Sequence, residues 1–344
     1  MFAGCHTALI TPFKSDAIDI EGLEKLIAFQ LENDITGILA VGTTGESPVL
    51  SWQEHNQVVA TVSKMTRSKC VCIAGTGSNN TSEALTASRL AVDDDADALL
   101  LVDPYYNGPS SQEIRKEYVL PIAEEFPDTT IIPYVIPGRT GAQLLPEDLA
   151  LCYQQCPNVN VVKEATGNLE NMRRTRQCCG KKFTILSGDD GLTLDMIADK
   201  EIKASGVISV LANVVPKTVG DMVRAHLAGD NATAQKLGDA LAPLFGLVTV
   251  MTQEASPFGD VTCRARNPLA LKTLMQLLGL PSGPCRRPLG KMSPSGAAVV
   301  IEAVRTTWDH NPEILQPLVE FFEVDIEACL DDQTLHKEIS YPSY

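Results

Sequence analysis

Short runs of apolar residues recur along the first two thirds of the chain, separated by longer segments with helical periodicity. Apolar runs of four to six residues are typical of strands buried on both faces, whereas apolar positions three and four apart indicate amphipathic helices. The predicted strands are residues 5–10, 37–41, 70–74, 98–102, 130–134, 160–163, 184–187 and 206–210. The predicted helices are residues 20–33, 52–65, 82–92, 111–125, 146–155, 169–177, 192–199 and 215–228.

This alternation predicts an α/β protein, and eight strand-helix units favour a closed (β/α)8 TIM barrel. An open doubly wound sheet usually has fewer strands. We expect a catalytic barrel over residues 1–230. Residues 231–305 continue the helical pattern without obvious strands and predict additional C-terminal helices, and residues 306–344 form an acidic extension. In such a barrel, catalytic groups follow the carboxyl ends of the strands.

Lys163 ends the sixth predicted strand. A lysine in that position can lose part of its hydration, which lowers its pKa and makes its amine a nucleophile toward carbonyl groups. The alternative is a lysine that marks the strand end and reaches water along its stem. Tyr134 ends the neighbouring fifth strand, at a spacing that would let its phenol meet the amine, although it is equally consistent with a tyrosine at the edge of the core.

Two further loops carry candidate binding groups. Thr43 and Thr44 lie between two glycines, where hydroxyls and backbone amides can hold a carboxylate or relay a proton; the alternative is an ordinary glycine turn. Arg139 follows the fifth strand and can hold a substrate carboxylate with two hydrogen bonds, or form a surface ion pair. Tyr105 and Tyr106 follow the fourth strand, where aromatic packing at a subunit contact is the alternative to a role in the site.

Composition excludes several classes of function. The formal net charge of -15 disfavours nucleic acid and anionic membranes as partners. No apolar stretch is long enough to span a bilayer and no leader is evident, so we expect a cytoplasmic protein. The ten cysteines show no paired metal-binding spacing, and the five histidines form no closely spaced pair, so no metal is expected.

The residues that follow the strands resemble, in order and spacing, those of the dihydrodipicolinate synthase family within the pyruvate-dependent class I aldolases. The motifs are Gly42-Thr43-Thr44-Gly45-Glu46-Ser47, Gly75-Thr76-Gly77, Pro104-Tyr105-Tyr106-Asn107, Pro137-Gly138-Arg139-Thr140-Gly141, Lys163-Glu164-Ala165-Thr166-Gly167-Asn168 and Leu186-Ser187-Gly188-Asp189-Asp190. The resemblance implies a lyase that condenses pyruvate with L-aspartate 4-semialdehyde in diaminopimelate and lysine biosynthesis. It implies no cofactor, since the reaction proceeds through a covalent imine on Lys163.

The resemblance also implies roles for individual residues. Lys163 matches the imine-forming lysine, Tyr134 the tyrosine beside it, Thr43 the relay threonine, and Tyr106 the tyrosine lent across a dimer contact. Thr44, Arg139, Ile208 and Gly188 match substrate-binding positions. L-lysine is implied as a feedback inhibitor at positions matching Ser47, Pro48, Trp52, His55, Asn79, Glu83 and Tyr105. A homodimer or homotetramer is expected.

Three features depart from the family pattern. Pro133 and Val135 flank the tyrosine, and Pro133 is expected to disturb strand pairing. Residues 246–266 are longer than the usual connection, and the extension beyond Arg305 has no counterpart. Two alternatives stay open: another class I aldolase, acting on sialic acid or keto-sugar acids, and a catalytically silent barrel that binds lysine.

Overall fold

Eight parallel strands close into a barrel in the computed structural model, which describes residues 2–344. The barrel strands are Gly4–Ala8, Gly37–Ala40, Val71–Gly75, Ala98–Val102, Thr130–Val135, Val161–Glu164, Thr184–Ser187 and Gly206–Ser209. Each strand pairs with its neighbour in the chain, and the last pairs with the first. Two-residue strands at Phe13–Lys14 and Ala17–Ile18 form a small separate ladder. The prediction of a (β/α)8 barrel with additional C-terminal helices is confirmed.

The strands read as continuous apolar runs because both of their faces are buried. In the fourth barrel strand, Ala98 and Leu100 belong to a core inside the barrel, whereas Leu99 and Leu101 belong to a core between the strands and the outer helices. Successive side chains of a strand point to opposite faces, so two apolar cores require apolar residues at every position. The sequence therefore shows a run here and not an alternation.

Helices surround the barrel and continue beyond it. They are Ile20–Glu32, Trp52–Thr66, Thr81–Asp93, Ser111–Ile114, Leu120–Glu125, Pro137–Thr140, Pro146–Gln155, Leu169–Cys179, Thr193–Ala198, Pro216–Leu227, Asn231–Phe245, Leu269–Leu277, Pro294–His310, Gln316–Phe322, Ile326–Asp331 and Gln333–Glu338. Several begin where the sequence predicts: Ser51, for example, accepts a hydrogen bond from the backbone of Glu54, whose side chain bonds back to the Ser51 backbone. The predicted helix 111–125 instead contains a π-helical turn at Arg115–Val119.

The acidic extension packs on the barrel. Phe29, on the first helix, lies 5.2 Å from the ring centre of Phe321 and 5.1 Å from that of Phe322. Leu318, also in the extension, is fully buried. The extension thus covers apolar surface of the first barrel helix through aromatic contacts. Among the helices of residues 2–344, none combines the length and apolar composition that crossing a bilayer needs.

The prediction that residues 231–305 are free of strands was wrong. Thr249–Ser256 and Gly259–Arg266 form an antiparallel hairpin that turns at Pro257 and Phe258. Exposure alternates along it, since Val250 is 4% exposed and Met251 is 62% exposed. The turn Ser256-Pro257-Phe258-Gly259 was the available sequence signal for a hairpin, because the buried positions of the first strand include the polar Glu254. Pro133 leaves the register between the fourth and fifth barrel strands intact, whereas the fifth strand pairs with the sixth only from Tyr134 onward.

A buried ion pair joins the loop after the second barrel strand to the C-terminal helices. The Lys272 ammonium donates a hydrogen bond of 2.7 Å to Glu46, and both side chains are almost completely buried. The other carboxylate oxygen of Glu46 accepts from the backbone of Arg286. Lys272 also donates to the carbonyl oxygens of Thr11 and Pro284. Both charges are therefore held by several hydrogen bonds, as buried charges require.

Candidate active site

Lys163 points into the barrel because of its position in the sixth strand. Val161 belongs to the inner core and Val162 to the outer core, so the next residue faces inward again. Register pairs Lys163 with Tyr134 on the neighbouring strand. The Nζ atom of Lys163 lies 4.2 Å from the centre of the Tyr134 ring, and the lysine is only 4% exposed. The structure therefore brings the predicted amine and phenol together and rules out a lysine that extends to water.

Burial lowers the pKa of Lys163 from its ordinary value to about 7. The main cause is the loss of hydration, which penalises the charged ammonium. Asp190 acts in the opposite direction and favours the ammonium, while the positive charge of Arg139 lowers the pKa further. An amine with this pKa is largely uncharged just above neutral pH, which is the state that attacks a carbonyl carbon.

Gly188 leaves room for the lysine side chain. It follows the seventh strand, next to the sixth in the barrel. A Cβ atom at this position would lie 2.8 Å from the Cβ of Ala165 and 3.2 Å from the Cε of Lys163. The lysine and its neighbour would therefore have to shift to accommodate any larger residue.

Tyr134 and Thr43 meet at the edge of a cavity of about 260 Å³ at the carboxyl ends of the strands. Burial raises the pKa of the Tyr134 phenol, while Arg139 and a side-chain hydrogen bond with Thr43 lower it. The lining residues are Val41, Gly42, Thr43, Ser47, Pro48, Gly75, Gly77, Leu100, Val102, Tyr105, Tyr134, Arg139 and Thr140. Lys163 is not one of them, but its Nζ atom lies over the ring of Tyr134, which does line the cavity. The Tyr134 side chain thus borders both the cavity and the amine, so its phenol can pass protons between them.

Arg139 lines the cavity from the short helix Pro137–Thr140, directly after the strand that carries Tyr134. Its Nη2 donates a hydrogen bond of 3.0 Å to the backbone carbonyl of Asn267. Burial lowers the pKa of Arg139, and the nearby Arg266 and Arg264 lower it further. The guanidinium is therefore held in place, within a region of positive charge suited to a substrate carboxylate.

The other predicted binding residues take different positions. The Thr44 hydroxyl is buried and accepts a 2.9 Å hydrogen bond from the side-chain amide of Asn267. Ile208 belongs to the same inner core as Tyr134. Tyr106 is 91% exposed, with a φ of 78°, and it is not among the residues that line the cavity of its own chain. Its predicted role across a dimer contact stays a prediction.

The residues that match a lysine-binding site fall into two groups. Ser47, Pro48 and Tyr105 line the cavity described above, whereas Trp52 and Glu83 line a second cavity of about 220 Å³. His55 connects the two groups and Asn79 lies exposed at the surface.

The contacts of His55 and Glu83 define this connection. The ring of His55 packs against that of Trp52 at 5.1 Å, and its Nε2 is 2.9 Å from the carbonyl oxygen of Gly75. Burial lowers the pKa of His55. Glu83 accepts a hydrogen bond of 2.8 Å from Ser78. Burial raises the pKa of Tyr105, and the charge of Glu83 raises it further. The two groups are thus adjacent.

Sequence reasoning missed three residues of the site. Asp190 is buried, accepts hydrogen bonds from Ser209 and from the Val210 backbone, and favours the charged form of Lys163. Burial raises the pKa of Asp190 to about 6. Its signal was the acidic pair 189–190, which closely follows the seventh predicted strand. Arg266 ends the hairpin and Asn267 follows it, so their positions depend on an element that the sequence did not predict. No sequence motif marks either residue as part of the site.

Across residues 2–344, no three side chains of His, Cys, Asp or Glu are arranged to hold a metal ion.

Comparisons with known proteins agree with this geometry. A model of the Dihydrodipicolinate synthetase family matches residues 1–306. The 4-hydroxy-tetrahydrodipicolinate synthase of Methanocaldococcus jannaschii is 40% identical over 293 residues, covering 85% of this chain and 94% of that protein.

Two solved structures extend the comparison. The DHDPS of Cyanidioschyzon merolae, solved with lysine bound, has a TM-score of 0.80 and 34% identity, covering 89% of this chain and 98% of that chain. The chloride-inhibited dihydrodipicolinate synthase of Acinetobacter baumannii, complexed with pyruvate, has a TM-score of 0.80 and 31% identity, covering 89% and 99%. Because the family model covers residues 1–306 and relatives of this identity are matched over nearly their whole length, the chain belongs to the dihydrodipicolinate synthetase family.

Proposed function

We propose that the chain is a lyase that condenses pyruvate with L-aspartate 4-semialdehyde to 4-hydroxy-tetrahydrodipicolinate, in diaminopimelate and lysine biosynthesis. The observation that carries this proposal is the Lys163 amine, buried beside Tyr134 with its pKa lowered to about 7. The pyruvate-bound and lysine-bound relatives support the same substrate and pathway. The open aldolase and silent-barrel alternatives are not favoured by the family relationship.

The first half of the reaction activates pyruvate. The neutral Nζ of Lys163 adds to the ketone carbon, and the carbinolamine loses water to form a protonated imine. Tyr134 supplies the proton for the departing hydroxyl, and Thr43 returns protons to the phenol. The imine nitrogen then withdraws electrons, so that a methyl proton leaves and an enamine forms.

The second half forms the carbon-carbon bond. The enamine carbon attacks the aldehyde carbon of the semialdehyde, whose oxygen takes up a proton to become a hydroxyl. The amine of the semialdehyde then adds to the imine carbon and displaces Lys163, which closes the ring and regenerates the enzyme. All of these steps use the chain's own side chains, so we propose that no cofactor takes part.

The direct test is turnover of the purified chain with both substrates. We expect pyruvate and semialdehyde to be consumed in equal amounts while the cyclic product forms. Mass spectrometry measures all three compounds. An aldose sugar used in place of the semialdehyde should give no product. Activity with N-acetylneuraminate or a keto-sugar acid, and none with the semialdehyde, would contradict the proposal.

The rate of imine formation should depend on pH with a midpoint near 7. Because only the neutral amine attacks, the rate should rise about tenfold per pH unit below 7 and become constant above about 8. The measurement is reductive trapping of pyruvate on Lys163 with cyanoborohydride at a series of pH values. A midpoint above pH 9 would show that burial does not depress the pKa in solution.

We infer that lysine inhibits the enzyme from the second cavity. The Glu83 carboxylate is exposed and lines this cavity together with Trp52, so it suits the ammonium group of an amino acid. The neighbouring group of Ser47, Pro48 and Tyr105 lines the catalytic cavity, so lysine beside it can alter the catalytic loops. The lysine-bound relative supports this inference.

Glu83→Gln should therefore desensitise the enzyme to lysine. Loss of one charged partner should raise the half-inhibitory lysine concentration about tenfold or more. Asp93→Asn is the matched control, because Asp93 is an exposed acid at the end of the same helix. Full activity of the wild type in millimolar lysine, or equal desensitisation by both variants, would refute this site.

We further propose a homodimer or homotetramer in the cytoplasm. The exposed Tyr106 ring, next to the cavity-lining Tyr105, would then reach the proton relay of a second copy. Size-exclusion chromatography with light scattering measures the assembly. A monomer with full activity would remove the role of Tyr106.

A further inference from the structure

The hairpin places a second arginine at the entrance of the catalytic cavity. Arg266, its last residue, donates a 2.9 Å hydrogen bond through Nη1 to the backbone carbonyl of Gly138. In return, Arg139 donates to the carbonyl of Asn267, which follows Arg266. The two segments therefore hold each other in place, with Arg266 lying over the residue before Arg139.

One edge of the Arg266 guanidinium is unused. The Nε atom is buried and has no hydrogen-bond partner among residues 2–344. Nη2 lies beside Gly138, 3.8 Å from where a Cβ atom would stand. Nε and Nη2 form the side-on edge with which arginine holds a carboxylate through two parallel hydrogen bonds. A buried donor without a partner is costly, so a ligand that satisfies it gains affinity.

The surroundings of Arg266 are positively charged without local compensation. Burial lowers the pKa of Arg139, and the charges of Arg266 and Arg264 lower it further. Burial also lowers the pKa of Arg266, and the charge of Arg264 acts in the same direction. Within the described part of the chain, none of these three guanidiniums forms an ion pair with Asp or Glu. In a chain of net charge -15, three uncompensated arginines at one entrance would attract an anion.

We propose that Arg266 binds the carboxylate of the aldehyde substrate and so determines specificity for an acidic aldehyde. This inference rests on the proposed function and deepens it. Pyruvate must reach Lys163, deep in the barrel. The semialdehyde enters after the imine has formed, so it contacts the residues at the cavity entrance. The hairpin is thus a specificity element that adds a second guanidinium to the one supplied by Arg139.

The test separates binding of the aldehyde acid from capture of pyruvate. In Arg266→Gln, kcat/KM for the semialdehyde should fall about tenfold or more, while KM for pyruvate and trapping on Lys163 stay within about twofold. Arg266→Lys keeps the charge without the two-bond edge and should lie between. Arg287→Gln, which removes an exposed arginine elsewhere on the surface, is the control.

An uncharged analogue of the semialdehyde distinguishes binding of the carboxylate by Arg266 from structural support of the segment around Gly138. With the methyl ester of the semialdehyde, which lacks the negative charge, wild type and Arg266→Gln should perform equally. Equal losses on the acid and the ester, or weaker pyruvate trapping, would show that Arg266 only supports the segment around Gly138 and would overturn the proposal. No change on the acid would overturn it as well. If the wild type fails to turn over both substrates, the proposed function itself fails and this inference falls with it.

Discussion

Lys163→Ala should reduce turnover of pyruvate and semialdehyde by about four orders of magnitude or more, because the covalent intermediate can no longer form. Among residues 2–344 the only other buried lysine is Lys272, whose ammonium is paired with Glu46. The loss should appear in kcat and not in KM alone. The same variant should take up no pyruvate under cyanoborohydride, as measured by intact-protein mass spectrometry.

The control for this experiment is Lys182→Ala, which removes an exposed lysine just before the seventh strand. It should keep wild-type turnover and pyruvate trapping. Circular dichroism and thermal unfolding show whether Lys163→Ala is folded; a buried lysine replaced by alanine leaves a void but removes a charge that is costly to bury. Trapping of pyruvate on a folded Lys163→Ala variant would mean that another residue is the nucleophile.

Tyr134→Phe should have the second largest effect, a loss of about 10² to 10⁴ in kcat. The substitution deletes only the hydroxyl, so the ring still packs beside Nζ of Lys163 and the pocket keeps its shape. What is lost is the group that transfers protons between the cavity and the amine. Pyruvate trapping should become slow, yet remain detectable, because the nucleophile is intact.

Thr43→Val makes this prediction more specific. Thr43 acts through the Tyr134 phenol, so its loss should lower kcat less than Tyr134→Phe does. The double variant should be no worse than Tyr134→Phe alone, because both residues serve one relay. Multiplicative losses in the double variant, or wild-type kcat in Tyr134→Phe, would contradict the relay.

The sequence contains enough information to place the catalytic pair. Lys163 ends a run in which every second residue faces inward, and Tyr134 ends the run before it, so strand order alone makes them neighbours. The barrel follows from the number of such runs. These inferences are local or depend on regular geometry, which is why they survive comparison with the structure.

The residues that sequence reasoning missed depend on contacts distant in the chain. Asp190 influences Lys163 only because the seventh strand lies next to the sixth and burial removes the intervening water. Asn267 reaches Thr44 across more than two hundred residues. The hairpin at residues 249–266, directly before Asn267, alternates in exposure. Its sequence does not show this alternation, because many of its residues are polar. Helical segments on both sides of it make the strands still harder to recognise. Neither periodicity nor local motifs report on such contacts.

The ion pair between Glu46 and Lys272 bears on attempts to reduce this chain to a minimal catalyst. Glu46 sits three residues after Thr43, and its countercharge comes from a helix that follows the eight-stranded unit. A shortened version ending after the eighth strand would leave that carboxylate without its countercharge and its backbone donor, three residues from the threonine of the proton relay. Engineers who wish to transplant the barrel alone must first replace Glu46 with a neutral residue of similar volume.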